Sequence, residues 1–440
     1  MRWEQQVQYA SISDIGFRRR MNQDSYVVQT CSNQESWRRH GHLFLVADGM
    51  GGHAVGELAS KIAADTIPHT FFKIRDRDVP IALRQAIEQA NATIHERGTL
   101  NVDFERMGTT CTALVLGPQG AIIGHVGDSR VYRIRGDRIE QLSFDHSLQW
   151  ELLRQGRMRP EEIFLHEPRH VITRSLGPQA NVQVDVEGPY AVLPGDVYVL
   201  CSDGLTGHVV DSEIGAIARE LPPGEACRLL VHLANLRGGS DNITVLIARV
   251  GNLPEGVPPV EPAEPAHPAP GAGWAWLAAL WAVAIIFVTG VSLALLEQWR
   301  AGAVLAGLGV AGAAALTVVW WKQRPQSMER DNRLADTVVW SPYRTASSRM
   351  TPKLLSHLVA VESELQRTAI EEGWEIDRDA YQAAYDRARQ AFDKAAYPEA
   401  FREYARAIDA LMAGVHIQRR QLTHQAKWGR TPTPPAHRGP

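Results

Sequence analysis

The chain has 440 residues, with 46 Lys and Arg against 49 Asp and Glu and a formal net charge of −3. At ~100 to 200 residues per domain this length implies two to four folded units, and the near-balanced charge excludes a general electrostatic pull toward nucleic acid. The four cysteines, Cys31, Cys111, Cys201 and Cys227, are far apart with no CxxC pair, which excludes a disulfide framework and leaves reduced thiols as the expectation.

Residues 1–9 lack an apolar core, so no secretory signal is expected. The first 250 residues alternate short apolar runs with turn signals. Strands are predicted at 42–47, 112–116, 121–126, 131–134, 139–142, 197–201 and 243–250, and amphipathic helices at 57–72 and 79–97. Gly117-Pro118-Gln119-Gly120 and Arg135-Gly136-Asp137-Arg138 are hairpin-sized links, too short for parallel crossovers. The expected class is therefore α+β with antiparallel sheets.

Residues 252–273 carry seven prolines and no Lys or Arg, which predicts an extended linker. Two runs without an ionisable side chain follow, 274–296 and 301–321, separated by Glu297, Gln298, Trp299 and Arg300. Each is long enough for a ~30 Å hydrocarbon layer, and Trp274, Trp276, Trp299, Trp320 and Trp321 fall where interfacial aromatic belts belong. A transmembrane helical hairpin is expected, with a buried soluble hairpin as the alternative. Lys322, Arg324, Arg330 and Arg333 after the second run place the C-terminal flank, and with it the N-terminal domain, in the cytoplasm. The expected location is thus the inner (cell) membrane, multi-pass.

Residues 322–350 read as a juxtamembrane tether and 351–415 as a small all-α bundle that binds a protein partner. Thr351-Pro352 is a helix start, with Leu354, Leu358, Val361 and Leu365 as its stripe. A second helix is predicted at 378–396, capped by Asp377, with Tyr381, Tyr385, Ala388 and Phe392 inward. A third starts at Pro398, with Phe401, Tyr404, Ile408, Leu411 and Val415 inward. Residues 416–440, with Arg419, Arg420, Lys427, Arg430 and Arg438 and no acid, read as a disordered basic tail that could touch anionic lipid.

Chemistry is signalled by aspartates at strand ends. Asp48 closes one apolar run, Asp128 and Asp203 follow two others, and Asp241 precedes a fourth. Each alone reads as an ordinary turn residue. If the sheets stack, their ends can converge, and clustered carboxylates repel unless they hold hard cations such as Mg²⁺ or Mn²⁺. Few His or Cys lie beside them, which disfavours zinc. Two ions sharing one carboxylate could generate a hydroxide at neutral pH.

The blocks Ser13-Asp14-Ile15-Gly16 with Arg19, Asn22 and Asp24-Ser25, then Val46-Ala47-Asp48-Gly49-Met50-Gly51-Gly52-His53, open an ordered series. Gly108-Thr109-Thr110, Gly127-Asp128-Ser129-Arg130, Asp145-His146-Ser147, Ser202-Asp203-Gly204 and Asp241-Asn242-Ile243-Thr244 continue it. Over residues 7–250 this series resembles the bacterial PP2C-type (PPM) metal-dependent protein serine/threonine phosphatases. The resemblance implies an αββα sandwich over 1–251 and two Mn²⁺ or Mg²⁺ ions, with a third in some members. It implies that Asp48 bridges the ions, Gly49 offers its carbonyl, Asp203 and Asp241 complete the first ion's shell, Asp24 acts through water and Asp128 holds the third ion. Arg19 would bind phosphate and His53 would be the general acid. Gln23 stands where many relatives have Glu, which implies altered metal affinity.

The implied function is a membrane-anchored phosphatase that hydrolyses phosphoserine and phosphothreonine in cytoplasmic or membrane proteins by attack of a metal-bound hydroxide. Implied partners are phosphorylated proteins, a cognate serine/threonine kinase and membrane lipid; nucleic acid is not among them. Two rivals stand beside it: a catalytically weak scaffold acting through the C-terminal bundle, and a dedicated phosphatase of a phosphorylated anti-sigma antagonist.

Overall fold

The apolar run at 43–47 forms the centre of strand β3 (His42–Met50) and is buried on both faces. The structure, a computed structural model, describes residues 6–51, 53–74, 78–100, 104, 107–155, 157, 171–251, 273–296, 298–323 and 341–428. From β3, Leu43, Leu45 and Ala47 pack with Ile67 and Phe71 of helix α2 (His53–Lys73) and with Leu83 and Ile87 of α3 (Val79–Thr99). Phe44 and Val46 point the other way, as the two-residue period of a strand requires, into a layer shared with a second sheet.

The first sheet has the order β2 (Asp24–Gln29), β3, β5 (Cys111–Gly117), β6 (Gly120–Val126) and β9 (Asp185–Tyr190), with β4 (Gly108–Thr109) beside β3. The second runs β1 (Val7–Asp14), β11 (Ile243–Val250), β10 (Val197–Cys201), β7 (Arg130–Arg135), β8 (Arg138–Gln141) and β12 (Arg344–Ser347). The pairings are antiparallel, in line with the short hairpin links at 117–120 and 135–138. Between the sheets, Phe44, Val46, Leu114 and Ile123 meet Tyr198, Leu200, Leu246 and Ala248. The outer face of the second sheet, with Val199, Cys201, Val245 and Ile247, lies in one cluster with Ile214 and Ile217 of α6 (Asp211–Glu220) and Leu230 of α7 (Pro223–Leu236). Full burial of each such large apolar side chain is worth roughly 1.5–3 kcal/mol over exposure, so helices on both outer faces add to the stability of the sandwich. Shorter helices α1 (Gln34–His40), α4 (Leu148–Arg154) and α5 (Asp203–Thr206) connect the strands.

Two compact units are present: residues 1–260 with 340–440, and 261–339. The second contains a helical hairpin, α8 (Gly273–Leu295) and α9 (Trp299–Gln323). Among the described residues no helix is long and apolar enough to cross a membrane. The fold therefore does not establish the spans expected at 274–296 and 301–321, parts of which lie outside the described side chains. The linker expected at 252–273 likewise falls almost entirely outside the described residues, as do residues 324–340 of the tether and 429–440 of the tail.

The C-terminal region packs on the sandwich. Helices α10 (Pro352–Glu371), α11 (Arg378–Asp393) and α12 (Tyr397–Trp428) follow in order. Their starts are capped as the sequence predicts: the Thr351 hydroxyl accepts from the Leu354 amide and the Asp377 carboxylate from the Ala380 amide. Leu358, Leu365, Tyr381, Ala388, Phe401, Ile408 and Leu411 belong to the same apolar cluster as α7 and the second sheet. Asp409 of α12 accepts from Arg228 and His232 of α7, both at 2.9 Å, and Arg406 pairs with Glu225 at 3.1 Å.

Four expectations are corrected here. The tether does not stay free, since residues 344–347 add strand β12 to the edge strand β8, with Arg344 opposite Gln141 and Ser347 opposite Arg138. An unpaired edge offers a row of amides and carbonyls to any extended segment that reaches it. The tail is helical as far as Trp428, with no proline before Pro432 to interrupt it. The second bundle helix stops at Asp393, and Ala395 takes a positive φ of 55°. Phe392 is 43% exposed and meets Tyr397 edge-on at its end of the helix, so it is not a core residue.

His125 on β6 is enclosed between Thr112 Oγ1 at 2.9 Å and the Phe144 carbonyl at 2.8 Å. Burial, helped by the nearby His146 ring, pushes its pKa down to about 3. Its folded pKa lies below the ordinary ~6.5, so the stability it contributes is complete above pH ~6.5 and is lost as pH falls toward 3, at up to ~1.4 kcal/mol per pH unit. The thermal midpoint should therefore drop steadily below pH 6.5 in scanning calorimetry, and His125→Asn should flatten that limb; an unaltered acid limb in the variant counts against this assignment.

Candidate active site

The strand ends that carry aspartate meet at one end of the two sheets. Asp24 opens β2 directly opposite Asp48 at the end of β3. Asp128 follows β6, Asp203 opens α5 just after β10, and Asp241 precedes β11. Backbone contacts lock the second pair of loops together: a Cβ on Gly204 would lie 2.0 Å from the Asn242 carbonyl oxygen.

The carboxylates sense one another. Burial, then Asp24, Asp203, Asp128 and Asp241, hold the Asp48 pKa well above the usual carboxylate range. Asp24 is pushed up to about 7, by burial first, although hydroxyls donated by Thr244 (2.7 Å) and Ser202 (2.8 Å) to its Oδ2 oppose the shift. Asp128 is raised by burial and by Asp203 and Asp145, against the pull of Arg130. Mutual repulsion among buried acids is relieved by protons or by cations.

Among the described residues no three His, Cys, Asp or Glu side chains already converge on a single ion position. The donor set nevertheless fits hard divalent cations. It is all oxygen, and the buried Oδ1 atoms of Asp24 and Asp128 have no hydrogen-bond partner, an arrangement that costs free energy unless a cation or proton takes the lone pairs.

The surrounding loops are fixed by groups whose roles the sequence reading did not assign. Asn242 donates to the carbonyls of Ile15 and Met21, both at 3.0 Å, and accepts from the Gln23 amide at 2.9 Å. It thereby closes the loop that bears Arg19. The Asp48 amide donates to Thr110 Oγ1 at 2.9 Å. The signal for these residues was present, since Thr110, Ser202, Asn242 and Thr244 all lie inside the quoted motifs. Their partners, however, are 62 to 227 positions away in the chain.

Arg19 stands at the rim, about half exposed, with its Nη2 donating to Asp241 Oδ2 at 2.7 Å. The structure thus brings together Arg19, Asp24, Asp48, Gly49, Asp203 and Asp241, with Asp128 electrostatically linked through Asp48 and Asp203. His53 begins α2, and its side chain lies outside the described residues. Gln23, the departure noted in the sequence, accepts through its backbone carbonyl from the Gly49 amide (3.1 Å) and from Ser60 Oγ (2.6 Å).

Gly49 has no room for a side chain: a Cβ there would lie 2.1 Å from the Gly56 carbonyl oxygen and 2.6 Å from that of Gln23. Gly49→Ala must therefore push backbone apart, and a loss of about 2 kcal/mol or more is expected. Denaturant unfolding of both proteins measures it; an unchanged midpoint would contradict the packing described.

An antiparallel two-sheet sandwich with oxygen-only acidic strand ends beside an arginine has the donors that a metal-dependent hydrolase of phosphate esters needs. Comparison with known proteins agrees. Residues 18–218 match the family described as Protein phosphatase 2C. The protein phosphatase PhpP of Streptococcus pneumoniae is 36% identical over 250 residues, 55% of this chain and 96% of that protein. The serine/threonine phosphatase stp of Listeria innocua is 34% identical over 222 residues, covering 49% of this chain and 86% of that protein. The crystal structure of the Mycobacterium tuberculosis serine/threonine phosphatase PstP/Ppp is similar with a TM-score of 0.51 and 32% identity, across 56% of this chain and all of that one. The chain belongs to the protein phosphatase 2C family and is a protein serine/threonine phosphatase.

Proposed function

We propose that this phosphatase works at the cell membrane, removing phosphate from phosphoserine and phosphothreonine in cytoplasmic or membrane proteins. The observation that carries the catalytic part is the set of mutually destabilised aspartates beside Arg19. Asp48, the Gly49 carbonyl, Asp203 and Asp241 are assigned to two divalent cations, Asp24 to a contact through water, and Asp128 to a third, weaker cation. When bound, Mn²⁺ or Mg²⁺ would neutralise charge on the phosphate and lower the pKa of a water.

The chain's own groups do the rest. The guanidinium of Arg19 can grip two phosphate oxygens in a fork, which a lysine ammonium cannot, and so aligns the ester for in-line displacement. As the phosphorus–oxygen bond to the serine or threonine breaks, the leaving alkoxide needs a proton, and His53 is assigned to give it, since imidazole titrates near neutral pH. Water supplies the oxygen of the new phosphorus–oxygen bond.

Membrane attachment is supported by the two uncharged runs and by the apolar side chains that α8 and α9 leave exposed, among them Trp281, Ile285, Val288, Leu295, Val304 and Leu308. Such a surface is out of place in water. The basic residues after α9 support a cytoplasmic C-terminus. A companion kinase is the natural source of substrate. One face of the C-terminal bundle is taken up by α7, so a protein partner would bind its remaining surface.

The purified full chain should hydrolyse a phosphothreonine peptide with Mn²⁺, lose that activity in EDTA and regain it on adding Mn²⁺. Asp48→Asn and Asp203→Asn should each lower kcat at least ~100-fold and Arg19→Ala should raise KM ~10-fold. Wild-type rates in Asp203→Asn would favour the scaffold reading instead. For topology, an enzyme reporter active only outside the cytoplasm, fused after Pro440, should remain silent; a positive signal would reverse the orientation.

A further inference from the structure

The loop that presents Arg19 is held from two sides. On one side the amides of Phe17 and Arg18 both donate to the Gly239 carbonyl, at 2.8 and 3.1 Å, in the segment leading to Asp241. Gly16 adopts φ +77°, and a Cβ there would lie 2.1 Å from the Asp241 carbonyl oxygen, so this turn is pressed against the loop of a proposed cation ligand. On the other side stands a residue about 400 positions away. Arg419 of α12 donates from Nη1 to the Gly16 carbonyl at 3.1 Å and from Nη2 to the Phe17 carbonyl at 3.0 Å. Its guanidinium carbon also lies 4.2 Å from the centre of the Phe17 ring.

We infer that Arg419 is a positioning residue for the phosphatase reaction: from the C-terminal helix it clamps the Gly16–Phe17 turn and thereby fixes where Arg19 meets the substrate phosphate. The inference rests on the reading of Arg19 as the phosphate-binding arginine. One planar cation satisfies two successive carbonyls and covers an aromatic face, a combination that a lysine cannot reproduce. Arg19 is only two residues beyond this turn and is itself about half exposed, so its aim depends on the backbone beneath it. Helix α12 is seated independently of Arg419, by Asp409 on Arg228 and His232, by Arg406 on Glu225 and by the shared apolar cluster. The C-terminal region thus completes the substrate-binding side of the active site within the same chain.

Two measurements on the full chain test this. In Arg419→Ala, amide hydrogen exchange at Phe17 and Arg18 should speed up at least ~10-fold while exchange in β11 is unchanged. With Mn²⁺ and a phosphothreonine peptide, KM should rise about fivefold with kcat within about twofold, and Arg419→Lys should fall between wild type and Arg419→Ala. In an Arg19→Ala background, adding Arg419→Ala should move KM less than about twofold, because the two act through one contact. Unchanged exchange at residues 17 and 18 overturns the clamp. Accelerated exchange with multiplying KM effects overturns its link to Arg19. A wild-type chain inactive on the peptide overturns the phosphatase reading and the link together, while exchange still judges the clamp.

Discussion

Bringing several carboxylates to one end of a protein works against Coulomb's law, and the whole sandwich is organised around holding them there. Burial and mutual repulsion raise Asp24, Asp48 and Asp128 above the ordinary carboxylate range. A floppy scaffold would let them drift apart. Here Asp48 and Asp128 sit at the ends of the buried strands β3 and β6, and Asp24 is held opposite Asp48 by the pairing of β2 with β3. Hydroxyls from Ser202 and Thr244 and the bridging amide of Asn242 complete the restraint. The repulsion is concentrated at the site where cations can relieve it.

The same logic explains the arrangement of charge beside the site. Arg130 is buried and forks onto Asp145, with three contacts between 2.7 and 3.0 Å. A buried pair of this geometry satisfies both partners and leaves little attraction to spare. Arg19, by contrast, is about half exposed at the rim, and among the described residues its hydrogen bond goes to Asp241. Its remaining donors are the ones proposed to grip phosphate. Arg130 and Arg19 thus differ in their surroundings, since one is enclosed and the other is not.

The C-terminal residues change what kind of molecule this is. Strand β12 lengthens the second sheet, and the bundle extends the apolar layer over α7. The phosphatase sandwich and the C-terminal helices therefore share one core within one compact unit. A region that reads along the chain as a tether, an interaction module and a tail is in large part structural cladding for the enzyme, and its last described helix reaches the active-site loop through Arg419.

Much of this was legible in the sequence. Two-sided burial writes continuous apolar runs, so β3, β5, β6, β10 and β11 were visible, and hairpin links too short for crossovers gave the antiparallel class. Helix caps at Thr351 and Asp377 marked their starts because capping is local chemistry. Strands β1, β2, β4, β9 and β12, helices α6 and α7 and the helical nature of residues 416–428 are not among the expected elements: the strands are polar at many positions and defined by the neighbours they pair with, while the basic charge of the last segment reads as a solvated tail. By itself the sequence determined the residue types able to bind cations and phosphate, the order of the motifs and the alternation that builds two sheets, since all of these depend on neighbours a few positions apart. Only the tertiary structure decided which oxygens share a field, that Asn242 closes the Arg19 loop, and that a helix near the far end of the chain rests on that loop. Contacts across hundreds of residues are set by how surfaces pack, and no local pattern records them.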